Sequence, residues 1–417
     1  MKRFKIENSK LKILFVGISL LCTISGLSQK ITEAEAINTA LENNQLIKSA
    51  ESQVDYFNQL KKTGSDIGKL SAVWMKGQYN TIEKDNNITL TQSIPFPGTI
   101  AAHMQLGEER IIGSTKNLQS AKNNLVYEVK SVYELLMHQK AFQNLLLSQD
   151  SLYSDFARAS SLRYKTGESN LLEMTTAETQ SQEVKNMVRQ NEANIYMSQK
   201  KLQTLLKSEV LVDAANTFGK RILDVDPAAS ALESNPQLQY SQQQIKITEQ
   251  EKRVERNRLM PDFTVGYFNQ TLIGYQNTTG TDTFYGKSNR FQGFSVGLAI
   301  PLWFAPQMAR AKAASFMEES TRQSADYFRT TLTSEYEQAL RELDKNQASL
   351  TYYESSALKN ADLILTQARK AYKGGEIGYV EYLQSLRSAI TIKTNYLQAL
   401  NQYNLSVIKI EYLTGKF

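Results

Sequence analysis

RYKTGESNLLE, residues 163 to 173, and AYKGGEIGYVE, residues 371 to 381, decide how this chain folds. The identical pairs are Tyr164/Tyr372, Lys165/Lys373, Gly167/Gly375, Glu168/Glu376 and Glu173/Glu381, all at one offset of 208 positions, the mark of an internal repeat. Each stretch breaks a long run without proline, 98 to 226 in the first case and 307 to 417 in the second. Proline inside a helix costs about 3 kcal/mol, so such runs suit long helices. Apolar residues step by three and four along both, at Val126, Val129, Tyr133 and Leu136 and at Leu397, Leu400, Tyr403, Val407 and Ile410. The runs are therefore two helical hairpins. Gly167 and Gly375 supply the positive φ that ends one helix and reverses the chain.

The repeat extends outward from the turns. ALENNQL (40 to 46) resembles ALESNPQL (231 to 238), and Ile94-Pro95-Phe96 matches Ile300-Pro301-Leu302. Each copy reads as short helix, strand pair, long helix, glycine turn and long returning helix. The copies span 29–206, with strands at about 71–96 and a turn near 164–170, and 231–417, with strands at about 261–303 and a turn near 372–378. A linker over 207–230 joins them, marked by Gly219, Asp224, Asp226 and Pro227. The clearest strand runs from Phe291 to Trp303, where Phe294, Val296, Leu298, Ile300 and Leu302 alternate with Gly293, Ser295, Gly297 and Ala299. Its partner begins at Pro261, and the polar segment 276 to 290 reads as the loop between them.

Residues 1–28 carry Lys2, Arg3, Lys5, Lys10 and Lys12 ahead of an apolar run from Ile13 to Ile24, and end in small residues, which reads as a secretory signal peptide cut after Ser28. With Glu7 it accounts for +4 of the formal +6, leaving about +2 for the mature chain. The basic balance thus reflects targeting, and a nucleic-acid partner loses its main support. The one cysteine, Cys22, falls inside this leader, so disulfides and thiolate chemistry are not expected in the mature product, and Leu20-Leu21 before it argues against lipidation.

A helix from about Thr99 to Arg163 would be roughly 100 Å long at 1.5 Å per residue. No globular domain needs that; a bundle this tall suits a protein that bridges a compartment. No other apolar run reaches the roughly 18 residues of a membrane helix, so membrane insertion must use strands. Four strands cannot close a barrel, since the smallest use about eight, and open sheet edges are not tolerated in lipid. Several chains must pool their strands.

The duplicated unit, the ALE-type openings, the strand-ending IPFPG and IPLWF and the two YKxGE turns together resemble the TolC family of outer-membrane efflux channels, over essentially the whole mature chain. The resemblance implies a mainly α fold in which duplicated helical hairpins form an α-barrel, with four strands per chain contributing to a 12-stranded β-barrel in a homotrimer. It implies an outer-membrane location extending into the periplasm, and as partners a periplasmic adaptor and an inner-membrane pump. Within the family, RYKTGESNLLE, PDFTVGYFNQ and YKGGEIGYVEYLQ look closest to channels paired with heavy-metal pumps of the resistance-nodulation-division class (Cus/Czc type).

The same resemblance places the glycine turns at a closed periplasmic aperture. Glu173 and Glu381 fall where the family has aperture carboxylates; one turn further on this chain has Thr176 and Gln384. Repeated by symmetry, the two glutamates would make a negative ring that favours cations. The alternative is that Arg163, Lys165, Lys370 and Lys373 pair with Glu168, Glu173, Glu376 and Glu381 and merely solvate the tip, each exposed pair adding about 0 to 1 kcal/mol. Tyr164 and Tyr372 could brace the aperture or simply pack. Lys165, Gly167, Glu168, Lys373, Gly375 and Glu376 at the turns are the candidates for adaptor contact.

Enzyme chemistry finds no support. His103 and His138 are 35 residues apart on one predicted helix, too far to share a metal. Met174, Met187 and Met197 read as core filler. No phosphate-binding glycine loop or nucleophile elbow is present, and no cofactor is expected. Two other readings stay open: a periplasmic coiled-coil adaptor, and an exit duct for drugs or secreted polypeptides in place of metal ions.

Overall fold

The computed structural model describes residues 29–223, 229–277 and 280–416. The leader and the stretch of linker holding Asp224, Asp226 and Pro227 lie outside them. The chain opens with β1 (Gln29–Ile31), α1 (Glu33–Asn43) and α2 (Gln45–Lys61). Then come β2 (Ser71–Gly77), β3 (Asp85–Ile94) and α3 (Pro97–Lys165), a single helix of 69 residues, about 100 Å long. Proline suits its first turn because that N–H would be unsatisfied anyway. After Gly167 (φ +77°) the chain returns as α4 (Leu171–Leu206), whose cap Asn170 accepts a 2.9 Å hydrogen bond from the Glu173 amide.

The linker contributes β4 (Val212–Ala214), which pairs in parallel with β1. The second copy follows with α5 (Pro236–Asn257), β5 (Asp262–Gln270), β6 (Gly274–Asn277), β7 (Asp282–Tyr285), β8 (Phe291–Ala299), α6 (Phe304–Tyr352), α7 (Leu358–Gly374) and α8 (Tyr379–Thr414). Both returning helices, α4 and α8, are 36 residues long, and both turns place their glycine at positive φ.

The outgoing helices differ. Whereas α3 is unbroken, α6 passes into α7 through a π-turn at Tyr353–Ala357. From Pro97 to Tyr164 there are 67 positions, and from Phe304 to Tyr372 there are 68. Counted from the matched Ile94 and Ile300 the second copy has two extra residues, one taken up before α6 begins and one within the helical run, and a π-turn is how an α-helix absorbs a single insertion without shifting its flanks.

β2, β3, β5 and β8 form one antiparallel sheet in that order. Directly paired residues share a face, and the register puts Phe294, Tyr267, Leu90 and Ala72 in one row and Val296, Val265 and Gln92 in the next. This face is apolar and open to the surroundings, Phe294 at 82% exposed and Val296 at 80%. The opposite face is mainly small and hydroxylated, with Thr89, Thr91, Ser93, Thr264, Gly266, Ser295 and Gly297, beside Val73, Met75 and Phe268. Gly293 is required there: a Cβ would come 2.7 Å from the Phe268 ring.

Two expectations need correction. β8 stops at Ala299 instead of Trp303, since Pro301 has no N–H for a ladder. The polar segment after β5 is not a plain loop, because β6 and β7 pair there as a small hairpin with Tyr275 packed on Phe284.

Three clusters hold the helices. The first joins α1, α3, α4 and the β1/β4 pair around Tyr133 and Leu136; the second joins α6 and α8 around Leu350 and Val407. The third, around Phe156, Val184, Tyr382 and Leu386, binds the two hairpins to each other near their turns. Met197 is 59% exposed and Met174 and Met187 are half-buried, so these methionines do not fill the core as expected. Among the described residues no helix is long and apolar enough to cross a membrane.

Candidate functional site at the hairpin tips

The two glycine turns lie side by side at the end of the bundle opposite the sheet. There the structure ties the first hairpin to the second through three side chains. The Tyr372 hydroxyl donates to Glu173 Oε1 at 3.2 Å and accepts from Arg163 Nη1 at 3.1 Å, while the same Nη1 lies 3.4 Å from Glu173 Oε1. Ser169 donates to the other carboxylate oxygen at 2.6 Å. Glu173 is thus fully engaged and nearly buried, at 4% exposed.

Aromatic packing fixes the tyrosine. Its ring stacks on Tyr382 (4.5 Å between centroids, 10° between planes) and meets the edge of Phe156 at 5.9 Å. Burial pushes the Tyr372 phenol above its ordinary pKa, so it remains a hydrogen-bond donor at neutral pH. The bond to that phenol, with the Glu173 charge behind it, raises Arg163 above the usual guanidinium value. A groove of about 230 Å³ runs alongside, lined by Asp155, Phe156, Arg369, Tyr372, Lys373 and Tyr382.

The repeat is not symmetric at this point. Tyr164, the counterpart of Tyr372, is 41% exposed and makes no such bond among the described residues. Glu381, the counterpart of Glu173, is exposed and reaches back to the Gly378 amide at 3.4 Å as a helix cap. Ala371 stands where the first copy has Arg163, so the second copy cannot build the same cluster from its own residues. Thr176 is half-buried and Gln384 exposed. Lys165, Glu168, Lys373 and Glu376 are exposed and, among the described residues, make no ion pair; of the solvating pairs expected at the tip, only Arg163 with Glu173 forms.

A second polar cluster was not foreseen. Glu134 on α3, fully buried, accepts from Arg221 Nε at 2.8 Å and from Asn404 Nδ2 at 2.6 Å. Arg221 also donates Nη1 to Glu33 at 3.0 Å, and its amide donates to Asn404 Oδ1 at 2.9 Å. The linker is strapped in this way across α1, α3 and α8, with Phe218 packed into the cores of both copies. Burial raises the Glu134 carboxyl above its ordinary pKa, against the pull of Arg221. Burial also disfavours the charged guanidinium, but Glu33 and Glu134 outweigh it and hold Arg221 protonated. The only signal in the sequence was an acid beside the apolar stripe of α3.

Among the described residues no three His, Cys, Asp or Glu side chains gather as metal ligands. The tip arrangement holds two helical hairpins together.

Residues 228–416 match the family described as outer membrane efflux protein. No curated protein matches the chain. Among solved structures, CusC is similar at a TM-score of 0.77 and 15% identity, with 93% of each chain covered. The Campylobacter jejuni CmeC outer membrane channel is similar at 0.76 and 14% identity, over 100% of this chain and 94% of that one. The outer membrane protein VceC of Vibrio cholerae is similar at 0.76 and 13% identity, over 92% and 96%. At these identities the likeness establishes the fold alone: long helical hairpins joined to a four-stranded antiparallel sheet.

Proposed function

We propose that this chain is a TolC-type outer membrane efflux protein, the exit duct of a tripartite efflux system, a reading supported by the family match over residues 228–416 and by the fold. In this reading the chain is a channel rather than an enzyme, seated in the outer membrane and extending into the periplasm. The observation that carries the reading is the four-stranded sheet: β2 and β8 have free edges, one face is apolar and exposed, and the long helices leave from one end. Free edges must be paired in hydrocarbon, so copies of the chain join β8 to β2 of the next. Three copies give twelve strands. We take residues 1–28 as a cleaved leader, 29–206 and 231–417 as the two copies, and 207–230 as the linker between them.

The tips form the aperture. Arg163, Glu173 and Tyr372 clasp the two hairpins of each protomer in the closed state, and the exposed Glu381 carboxylates, three per trimer, give the aperture its negative charge. Lys165, Gly167, Glu168, Lys373, Gly375 and Glu376 meet a periplasmic adaptor, which links the duct to an inner-membrane pump of the resistance-nodulation-division class. The cargo is heavy-metal cations, a reading supported by the wording of the tip motifs and by an aperture that carries acid. A duct for drugs or polypeptides is the second reading, since a conduit accepts what its pump supplies.

Deletion of the gene, followed by growth tests on copper, silver, zinc, cobalt, dyes and detergents, separates the two. Sensitivity to metals is expected; sensitivity to dyes alone overturns the metal assignment. Recovery of the protein as a water-soluble monomer overturns the duct itself.

A further inference from the structure

The strand register sorts charge across the sheet. On the apolar face β8 contributes Gln292, Phe294, Val296 and Leu298; β5 contributes Phe263, Val265, Tyr267 and Asn269. β3 adds Asn86, Ile88, Leu90, Gln92 and Ile94, and β2 adds Ala72, Trp74 and Lys76. Lys76 is the one charged residue among these. It stands at the end of the sheet away from the helices, in the row of Asn86. Arg290, which precedes β8 with the same parity as Gln292, joins the same end of the face by donating Nε to Asn269 Oδ1 at 2.5 Å and Nη2 to the Asn269 carbonyl at 3.1 Å. The acids of these strands, Asp85 and Asp262, have the opposite parity.

Arg290 is therefore held by a side-chain amide and a carbonyl, neither of which neutralises it, and among the described residues neither Arg290 nor Lys76 has a carboxylate within ion-pair distance. Below them a polar chain runs from Asn269 to the Tyr267 hydroxyl (3.2 Å) and on to Gln292 (2.8 Å), and Trp74 donates to Asn86 at 2.8 Å. The apolar rows begin directly beneath, at Phe294 and Leu90. A band of amides, phenol and indole capped by cations is the profile of a headgroup region, where a guanidinium that keeps N–H groups free matches a phosphate.

From this sorting we infer that the outward rim around Arg290 and Lys76 binds the phosphate of an anionic lipid headgroup in the outer leaflet. The inference rests on reading the sheet as part of a membrane barrel. Within the four strands acid is kept off this face and placed on the other, the exposed Glu83 and Asp282 standing in the segments beyond the sheet, so along the strands an anionic surface meets cations alone. Within one protomer the two cations sit on opposite edge strands, so a closed barrel spreads them around its circumference.

The test uses the full-length protein, purified as its assembled oligomer in mild detergent and incubated with a bisphosphorylated glycolipid or its dephosphorylated counterpart. Native mass spectrometry reads the lipid retained by wild type, by Arg290→Gln and by the Arg290→Gln, Lys76→Gln pair. Wild type should prefer the phosphorylated lipid by roughly thirtyfold, the combined effect of two cations at an anionic surface, with the preference reduced in the single variant and lost in the double one. Equal retention of the two lipids by wild type, or an unchanged preference in the double variant, overturns the site. Oligomeric mass and detergent dependence are recorded on the same samples, so a failure of the barrel reading shows itself as a detergent-free monomer and is told apart from loss of lipid preference alone.

Discussion

The Tyr372 hydroxyl lies 3.2 Å from Glu173 Oε1 although 199 positions separate them and each belongs to a different hairpin. The bond from Arg163 Nη1 to the same hydroxyl, at 3.1 Å, joins the turn of one copy to the turn of the other as directly, and Arg163 also neutralises the acid.

Removing that bond should loosen the aperture without unfolding it. In Tyr372→Phe the ring keeps its stack on Tyr382 and its edge contact with Phe156, so only the hydroxyl is lost. A hydrogen bond to a charged group contributes about 1.5 to 3 kcal/mol, so the open population should rise at least tenfold. Planar-bilayer recordings should show higher resting conductance, and Glu173→Gln should act in the same direction. An unchanged closed conductance in both variants would show that the clasp does not hold the aperture.

Arg221→Ala should be far more damaging than its place in a linker suggests. It strips Glu134 of its counter-ion while leaving the carboxylate at 0% exposure. Breaking a buried pair by removing one partner costs about 3 to 5 kcal/mol. Thermal unfolding in detergent should show a large loss, and Arg221→Ala with Glu134→Gln should recover part of it. No recovery in the double variant would mean that the arginine matters through packing.

The two hairpins were legible because each rests on local signals: a proline-free run, a stripe at helical spacing and a glycine where φ must be positive. The strands were legible from alternation, except at Pro301, where alternation continues through Leu302 although a ladder cannot. The β6–β7 hairpin was hidden because its strands are short, polar and wrapped around a glycine-containing turn, which reads as loop. At the tips the sequence placed the residues but treated the copies as equivalent. What separates Glu173 from Glu381 is a neighbour on another element, Arg163 against Ala371 across the turn, and Tyr372 from the other hairpin; pairings of that kind depend on tertiary approach.

His138 gives the fold a pH dependence. It stacks against Phe142 and meets the edge of Phe218, and burial alone lowers its pKa below the ordinary 6.5. The unfolded chain then binds a proton that the folded chain refuses, so stability is lost as pH falls from about 6.5 toward the folded value. His103 shifts the same way, through burial first and then the nearby Arg258 and Arg110. Replacing His138 with Phe should flatten the acid side of the stability profile, measured as melting midpoint against pH between 7 and 5. A variant curve parallel to wild type would rule out this source.

Gly293→Val should block barrel assembly while leaving the helices intact. Even a Cβ would meet the Phe268 ring at 2.7 Å and 2.8 Å, on the face where strands must curve together. Far-ultraviolet circular dichroism should keep its helical signal while the oligomer expected from chemical cross-linking in detergent is lost. Pairing the change with Phe268→Ala should restore the oligomer.

The π-turn at Tyr353–Ala357 also bears on how freely the two halves of the gene can recombine. A crossover that splices the upper part of α3 onto the lower part of α7 inherits the wrong residue count by one, which rotates everything beyond the junction by about 100° and displaces it about 1.5 Å along the axis. The π-turn thus ties each returning helix to its own outgoing partner, and the register at the tips holds only while the two stay together.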